Sequence, residues 1–238
     1  EALGWRASFW GIAALGLVTI AALRLTLPAL PASGGGDIRA ELRVLTRRDV
    51  LAALGLTVLG SSAMFTVFTY IAPILREETG ASIGFVTAML VSYGIGLTVG
   101  NWLGGRYADR SVDLTLMITL AALALVLVAF ALLMPFKAPT AILVFLWGVA
   151  SFALVPPLQL RVMTAAEQAP NLASSMNIGA FNLGNAVGAA LGGGVIATGL
   201  GYPAVALAGA ATSALGFLAV YMSWRNRDSV AELAPCTE

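Results

Sequence analysis

Residues 104–111 read GGRYADRS, and this short stretch decides how the chain is organised. It contains three charged residues, Arg106, Asp109 and Arg110, in a chain that is only 11% charged. Long, nearly uncharged runs precede and follow it. Each run is long enough to cross a bilayer as a helix, which takes about 20 apolar residues. The stretch is therefore predicted to be a loop that joins two membrane-spanning helices.

The composition of the whole chain supports the same interpretation. Of the 238 residues 59% are hydrophobic, and the mean hydropathy is +0.89. Soluble domains carry about 25% charged residues, and their helices have a polar face at helical period that these runs mostly lack. The fold class predicted is an all-α membrane protein. With 13 basic and 12 acidic residues the net charge is +1, so we expect no nucleic acid partner.

Several classes of chemistry are excluded by the residue types present. The chain has no histidine and a single cysteine, Cys236. Zinc centres, Ser–His–Asp triads and haem held by histidine all need residues that it lacks. It also has no phosphate-binding loop of the Gly-x-x-x-x-Gly-Lys type. We therefore expect no metal site and no cofactor, and we do not expect an enzyme.

Seven membrane spans are predicted from the apolar runs. They lie at residues 5–27, 50–75, 83–103, 114–134, 140–160, 172–198 and 202–224. A polar linker at residues 28–49 contains PASGGG and then a basic run, and residues 226–238 form a polar tail. The short loops predict that neighbouring helices run antiparallel. Residues 50–225 are therefore expected to form one six-helix bundle.

The placement of arginine and lysine predicts the orientation of the spans. One set of span ends holds Arg24, Arg39, Arg43, Arg47, Arg48, Arg106, Arg110, Arg161, Arg225 and Arg227, and the other holds only Arg6, Arg76 and Lys137. Basic residues are enriched in cytoplasmic loops, so the linker, the GGRYADRS loop and the C-terminus are predicted to be cytoplasmic. Residues 1–27 are interpreted as the last helix of a missing N-terminal half. A cleaved signal peptide is the alternative, but cleavage would leave the basic linker outside.

The loop resembles a motif of the major facilitator superfamily, Gly-x-Leu-x-Asp-Arg-x-Gly-Arg-Arg, which follows the second helix of each six-helix half. Gly105, Asp109 and Arg110 match this motif. Val112 stands where the second glycine would be, and Asp113 and Leu114 replace the basic pair. The loop also follows the second span after the linker, as the resemblance requires.

The sixth span, NLASSMNIGAFNLGNAVGAALGGGVIATGLGY at residues 171–202, strengthens the resemblance. It is similar to the eleventh helix of the 12-span drug:proton antiporter branch, among bacterial arabinose, purine-ribonucleoside and chloramphenicol exporters. The resemblance covers the chain as helix 6 plus the C-terminal six-helix bundle. It implies a bacterial inner-membrane transporter that exports a drug-like small molecule by alternating access, driven by the proton gradient. Its partners would be the lipid bilayer and the missing N-terminal half.

Two other functions remain open from the sequence. One is export of a sugar or a nucleoside, and the other is a transport-incompetent fragment or partner subunit. After Gly84 every acidic residue lies near a predicted interface rather than at mid-membrane. Because an intramembrane carboxylate is the usual proton carrier, the coupling residue is expected in the missing half.

The resemblance implies a conformational latch at the loop, made by Gly105, Asp109 and Arg110. A carboxylate beside a helix N-terminus is favoured by about 0.3–1 kcal/mol when exposed. Arg161 is the candidate partner of Asp109, because an arginine adds charge-assisted hydrogen bonds. A solvated loop that only satisfies the charge bias is the simpler interpretation.

Polar and aromatic residues at membrane depth predict a substrate cavity. An amide that faces lipid would cost several kcal/mol, so such side chains must face protein or water. The candidate cavity residues are Phe65, Thr69, Tyr93, Trp147, Gln159, Asn177, Phe181, Asn182 and Asn185. Hydrogen bonding between helices is the alternative role for the polar members.

Glycines at four-residue spacing predict close helix contacts, because they lie on one helix face and let backbones approach. They are Gly96, Gly100 and Gly104 in the third span, and Gly184, Gly188 and Gly192 in the sixth. The faces either pack statically or slide during transport. Pro156 and Pro157 are predicted to kink the fifth span, since proline removes helical hydrogen bonds.

Overall fold

The structure is a computed structural model that describes residues 4–26 and 43–233. Within these residues, seven helices are long and apolar enough to cross a membrane. They span Phe9–Thr26, Arg48–Glu77, Ile83–Ala108, Val112–Leu133, Lys137–Ala165, Pro170–Ala197 and Gly201–Asn226. The seven-span prediction and the all-α fold class are confirmed.

Contacts divide the chain into two compact units, which are described separately. The first contains helix α1, Gly4–Thr26, which has 23 residues and the single basic residue Arg24 in its last turn. At 1.5 Å per residue this helix is about 35 Å long, enough for a hydrocarbon core of about 30 Å. Its bounds agree closely with the predicted span 5–27.

The second unit is a helical bundle. Its helices are α2 (Arg48–Phe68), α3 (Ile71–Glu77), α4 (Ile83–Ala108), α5 (Val112–Leu133), α6 (Lys137–Ala153), α7 (Val155–Ala165), α8 (Pro170–Ala197) and α9 (Gly201–Leu233). Three close pairs build the bundle: α4 with α6, α2 with α8, and α5 with α9. Helix α9 also packs on α2. A core of apolar side chains from all of these spans lies between the pairs.

The second predicted span is present as Arg48–Glu77, but it contains a break that was not predicted. Helix α2 ends at Phe68, Tyr70 has φ −112° and ψ 11°, and the short α3 begins at Ile71. Pro73 explains the break. It has no N–H for the carbonyl four residues earlier, that of Thr69, and its ring clashes there.

The fifth predicted span is also broken, as its two prolines predict. Helix α6 ends at Ala153, and α7 begins at Val155 after the single residue Leu154. Pro156 and Pro157 have no N–H to donate to the carbonyls of Phe152 and Ala153. Hydrogen bonding resumes when the Leu158 N–H donates to the Leu154 carbonyl at 3.1 Å.

The GGRYADRS stretch is mostly helical rather than a loop. Helix α4 continues to Ala108, and only residues 109–111 form the turn before α5. The Ser111 hydroxyl accepts a hydrogen bond from the Leu114 N–H at 3.3 Å and caps α5. Because a serine cap satisfies the first free N–H groups of a helix, three residues are enough to reverse the chain.

One end of the bundle holds the α4–α5 turn together with the start of α2, the end of α7, the start of α8 and residues 223–226 of α9. We call it the basic end, and the end that contains α3 the opposite end. Helix α9 continues to Leu233, so the predicted tail at 226–238 is helical over its first part. The predicted linker residues 28–42 and the tail residues 234–238 lie outside the described residues.

Candidate functional site

A chain of polar side chains joins three helices inside the bundle. The Thr57 hydroxyl on α2 donates to Asn177 Oδ1 on α8 at 2.7 Å. Asn177 Nδ2 donates to Gln159 Oε1 on α7 at 2.6 Å, and Gln159 Nε2 donates to Ser174 Oγ at 2.7 Å. Asn177 is fully buried. Asn177 and Gln159 were predicted to line a cavity, but here they hold helices together, since each amide finds a partner on a neighbouring helix.

A second polar contact ties α2 to α8 one to two turns further along. The Ser61 hydroxyl is hydrogen-bonded to Asn185 Oδ1 and donates to the Phe181 carbonyl at 2.9 Å. The Ser62 hydroxyl donates to the Gly184 carbonyl at 3.0 Å. Asn185 was also predicted to line a cavity, and its amide oxygen serves the helix interface instead.

Aromatic rings from α2, α4, α5 and α6 form one cluster. The rings of Tyr93 and Trp147 are 4.6 Å apart, and the Phe68 ring lies 5.1 Å from Tyr93. Phe130 stacks on Trp147 at 6.2 Å, and Phe65 meets Phe68 edge-on at 5.4 Å. Tyr93 is 5% exposed and Trp147 only 1%. These two predicted cavity residues are therefore packed in the core of the bundle in this conformation.

Four predicted cavity residues keep accessible surface and make no side-chain hydrogen bond to another helix. Thr69 and Asn182 are exposed, while Phe65 and Phe181 are half-buried. The Thr69 hydroxyl donates to the Phe65 carbonyl at 2.8 Å, and Asn182 Nδ2 donates to the Ile178 carbonyl at 3.0 Å. The nine predicted residues thus separate into a packed set of five and this accessible set of four.

The glycines of α4 lie directly against the backbone of α6. A Cβ added at Gly96 would be 2.5 Å from the Phe145 carbonyl oxygen, which is closer than real Cβ atoms come. Gly148 on α6 returns the contact, because its Cβ would be 2.5 Å from the Tyr93 carbonyl oxygen. Gly100 and Gly104 contact the backbone of Val149 and Ala153. We call this contact the α4–α6 seam; any side chain on it would force the helices apart.

The glycines of α8 lie in the same way against α2. A Cβ at Gly188 would be 2.5 Å from the Ser62 carbonyl oxygen, and one at Gly184 would be 2.6 Å from that of Val58. At Gly192 the Cβ would be 2.6 Å from the Tyr70 ring. The Tyr70 hydroxyl donates to the Ala189 carbonyl at 2.8 Å. This α2–α8 seam therefore ends with Tyr70, at the break between α2 and α3, seated on the glycines of α8.

Arg161 forms an ion pair with Asp113 rather than with Asp109, so its predicted partner is wrong. The Arg161 guanidinium is hydrogen-bonded to Asp113 Oδ1 and donates to Ser223 Oγ at 3.0 Å. The two charged side chains are 14% and 18% exposed. Asp113 lies in the first turn of α5 and faces the bundle interior, so it reaches the arginine first. The contact ties α7 to α5 and α9 at the basic end.

Asp109 and Arg110 face outward from the α4–α5 turn. Asp109 is the C-cap of α4, so it does not sit at the helix N-terminus as predicted; Ser111 has that position. Asp109 is exposed, and its side chain has no hydrogen bond within the described part of the chain. The Arg110 guanidinium lies 5.7 Å above the Tyr107 ring. A Cβ at Gly105 would meet open space, so packing within this bundle does not require that glycine.

A cavity of about 600 Å³ surrounds the ion pair at the basic end. Asp113, Arg161, Ser223 and Thr164 line it, together with Asp49 at the start of α2. Asp49 is paired with Arg47 at 2.7 Å, and both side chains are about half exposed. The end of α7 therefore borders a wet, charged space, whereas α6 lies in the apolar core.

Comparison with known proteins decides the family. The family model of the Major Facilitator Superfamily matches residues 1–179. The chain belongs to the Major Facilitator Superfamily. It is 50% identical over 227 residues to the inner membrane transport protein YdhP of Escherichia coli strain K12. The matched residues make up 95% of this chain and 58% of YdhP. It is 34% identical over 198 residues to the uncharacterised transporter YtbD of Bacillus subtilis strain 168, covering 81% of this chain and 50% of YtbD.

The bundle also has the fold of a solved major facilitator protein. The Escherichia coli fucose:proton symporter FucP superposes with a TM-score of 0.69 at 18% identity. The superposition covers 89% of this chain and 53% of FucP. This chain therefore spans little more than half the length of its superfamily relatives, which agrees with the interpretation that it is one portion of such a fold.

Sequence reasoning missed several residues that the structure brings together. Ser223 and Gly148 were not singled out. Tyr70 was noted only as a polar residue at membrane depth, and Asp113 only as a departure from the loop motif and as a carboxylate near an interface. Pro73 is the available signal for Tyr70, because a proline marks a helix break a few residues earlier. Gly148 lacks a glycine neighbour four residues away, and Ser223 lies 62 residues from Arg161, so neither had a local signal.

Proposed function

We propose that this chain is the C-terminal portion of an inner-membrane secondary transporter that exports a small molecule by alternating access. Export is driven by proton entry. Helix α1 is the last helix of an N-terminal half, residues 28–49 link the halves, and the C-terminus is cytoplasmic. Family membership and the multi-pass architecture support this proposal, and the name of YdhP agrees with it.

The observation that carries the proposal is that two spans of the bundle are broken near opposite ends. Helix α2 runs 21 residues, about 31 Å, from the basic end before it breaks. Helix α6 runs 17 residues, about 25 Å, from the opposite end before it breaks. Discontinuous helices are typical of substrate sites and gates in secondary transporters. In this chain they supply one short movable segment at each end, α3 and α7.

The proposed substrate is an amphiphilic, drug-like compound of the chloramphenicol type. Asn177, Asn185 and Gln159 would favour a polar solute, but each already bonds within the bundle. The accessible set of Phe65, Thr69, Phe181 and Asn182 combines two rings with one hydroxyl and one amide. Such a mixture suits a ligand with an aromatic body and a few polar groups. Export of a sugar or a nucleoside is the second candidate, and FucP is described as a sugar:proton symporter.

The proton-carrying carboxylate is proposed to lie in the N-terminal half. Asp113 forms an ion pair with Arg161 at the basic end, and both side chains are largely buried. This contact ties α5 to α7 and gives the Asp113 carboxylate a structural role near the membrane interface. The contribution of this chain is then substrate contact and gating.

The proposal is tested with the full-length transporter in inverted membrane vesicles that hold an acidic interior. We expect chloramphenicol to dissipate the pH gradient, as protons leave in exchange for the drug, while arabinose leaves the gradient unchanged. Vesicles that lack the transporter are the control. A response to arabinose alone would support the sugar exporter, and a gradient unaffected by a wide panel of compounds would contradict proton-coupled export.

Asn182 is the sharpest test of the accessible set. Asn182→Leu should raise the KM for polar members of the substrate panel about fivefold, because a lost hydrogen bond to a neutral group costs about 1 kcal/mol. Met176→Leu, at another exposed position of α8, is the matched control. Unchanged KM values for Asn182→Leu across the panel would show that this amide does not contact substrate.

A further inference from the structure

A groove of about 690 Å³ lies outside the bundle core, between α4, α5 and α6. Its walls are almost entirely apolar and include Ile118, Val126 and Leu146. Its polar residues gather at the basic end, where Arg110 and Ser111 close it. The groove therefore has the polarity of an amphiphile, with a polar head at one end and an apolar tail along the rest.

The length of the groove matches one lipid leaflet. It follows α5 from Ser111 to Val126, which is about 22 Å along a helix. One leaflet with its headgroup region is half of a bilayer that is about 40–45 Å thick. An acyl chain that starts at the basic end would therefore lie in the groove over its whole depth.

Interfacial anchors mark the polar end of the groove as the level of the lipid headgroups. The Arg106 guanidinium lies 5.9 Å from the Trp102 ring, and the Arg110 guanidinium lies 5.7 Å from the Tyr107 ring. Trp102 is 62% exposed and Tyr107 is 48% exposed. Tryptophan, tyrosine and arginine side chains of this kind gather at the membrane–water interface. Arg110 thus stands where a phospholipid carries its phosphate.

We propose that the groove binds one anionic phospholipid, with the headgroup on Arg110 and one acyl chain between α5 and α6. Two arginines and one carboxylate, Asp109, leave this turn with a net positive charge, which complements an anionic headgroup. The groove does not include any residue of the accessible set, which is proposed to contact substrate. The bound lipid would fasten α5 to the α4–α6 seam from the lipid side.

The rim of the groove fits lipid better than a neighbouring helix. Its exposed side chains are large and branched: Leu114 is 53% exposed, Ile118 59% and Leu146 41%. Helix interfaces in membranes are instead built on small residues, as in the two glycine seams. A flexible acyl chain adapts to such an uneven rim, whereas a helix would leave voids.

The test uses native mass spectrometry of the full-length transporter from nanodiscs of phosphatidylethanolamine and phosphatidylglycerol. Four variants form two matched pairs. Ala122→Phe fills the groove, whereas Leu125→Phe adds the same ring at a position of α5 that is 71% exposed and does not line it. Arg110→Gln removes the charge that lines the groove, whereas Arg106→Gln removes the neighbouring charge outside it.

We expect the wild type to retain one phosphatidylglycerol and Ala122→Phe to lose it, with Leu125→Phe unchanged. Arg110→Gln should lower the preference for phosphatidylglycerol over phosphatidylethanolamine about fivefold, the ratio that about 1 kcal/mol per basic residue gives. Arg106→Gln should lower it less. Equal lipid retention by the wild type and Ala122→Phe would overturn the proposal. Equal effects of the two arginine changes would overturn it as well, since only surface charge would then matter.

A photoreactive residue at Ile118 distinguishes lipid from protein as the occupant. Under the proposal it crosslinks phospholipid. A crosslink to another segment of the same transporter would contradict the proposal and assign the groove to a protein contact. Because none of these readouts measures export, failure of the proposed transport function would leave them intact.

Discussion

The two broken spans of the bundle differ in how their short segments are held. Segment α3 follows a break caused by Pro73 and is tied to α8 at its start, where the Tyr70 hydroxyl donates to the Ala189 carbonyl at 2.8 Å. Segment α7 follows a break caused by Pro156 and Pro157 and is tied by an ion pair that is only 14% and 18% exposed. The backbone cause is the same in both. On α3 the charged contact is exposed, with the Tyr202 hydroxyl donating to Glu77 Oε1 at 3.2 Å, whereas on α7 the charged contact is largely buried.

This difference indicates which end is harder to open. Leaving one partner of a buried neutral hydrogen bond unsatisfied costs about 1–3 kcal/mol, whereas removing one partner of a buried ion pair costs about 3–5 kcal/mol. The α7 segment should therefore be the more firmly held of the two. Opening the basic end requires another partner for Arg161, and the cavity around it contains further polar groups, Thr164 and Asp49.

The largest expected effect comes from Asp113→Asn. It leaves Arg161 largely buried without its carboxylate, and we expect a loss of about 3 kcal/mol of stability. The readout is thermal unfolding of the purified transporter followed by intrinsic fluorescence, together with the export rate. Asp109→Asn is the control for stability, because Asp109 is exposed, and its unfolding free energy should change by less than about 0.5 kcal/mol.

A double-mutant cycle with Arg161→Gln sharpens this result. If the pair holds α7, the double variant should lose clearly less than the sum of the single losses. Additive losses would show that the two residues act independently. The ion pair would then not explain how α7 is held. The predicted latch role of Asp109 stays a separate prediction, and reduced export by Asp109→Asn at normal stability would support it.

An intermediate effect is expected from Gly192→Ala. The new Cβ would stand 2.6 Å from both the Thr66 carbonyl oxygen and the Tyr70 ring, so the α2–α8 seam must open and the ring must move, at a cost of about 1–3 kcal/mol. Gly194→Ala, two residues further on, meets nothing within 4 Å and should raise stability by about 0.5–1 kcal/mol. Thermal unfolding of the two variants measures the contrast. Equal behaviour would show that Tyr70 is not held by the glycine face.

The smallest effect is expected from Tyr70→Phe. It removes the hydroxyl that donates to Ala189 but keeps the ring on Gly192, so the loss should be about 1 kcal/mol. The same change should raise the reactivity of a cysteine placed in α3, measured as the rate of maleimide labelling. A loss as large as that of Asp113→Asn would contradict the ranking of the two ends.

Much of the fold could be predicted from the sequence. Apolar runs of bilayer length fix the seven spans, and prolines in the interior of a span interrupt its hydrogen bonds, so Pro156 and Pro157 marked one break. The glycines at four-residue spacing stand at backbone contacts, because such a face leaves room only for another helix. The break at Thr69 had the same kind of signal in Pro73, which was overlooked inside a strongly apolar run.

The candidate site could be predicted only in part, because sequence does not fix the rotation of a helix in a bundle. Asn177 and Asn182 are five residues apart on α8, yet the first is fully buried between helices and the second is exposed. The partner of Arg161 was also open, since Asp109 and Asp113 are one turn apart. Only the three-residue turn capped by Ser111 places Asp113 inside and Asp109 outside.

The central claim, that α3 and α7 open in alternation, is tested most directly by cysteine accessibility. Ala72→Cys and Thr164→Cys report the two ends, since both positions are exposed and neither belongs to the accessible set. They are placed singly in a full-length transporter whose native cysteines, including Cys236, are replaced by serine. Maleimide labelling is measured with and without saturating substrate. We expect any condition that speeds labelling at one position to slow it at the other, and parallel changes at both positions would contradict the claim.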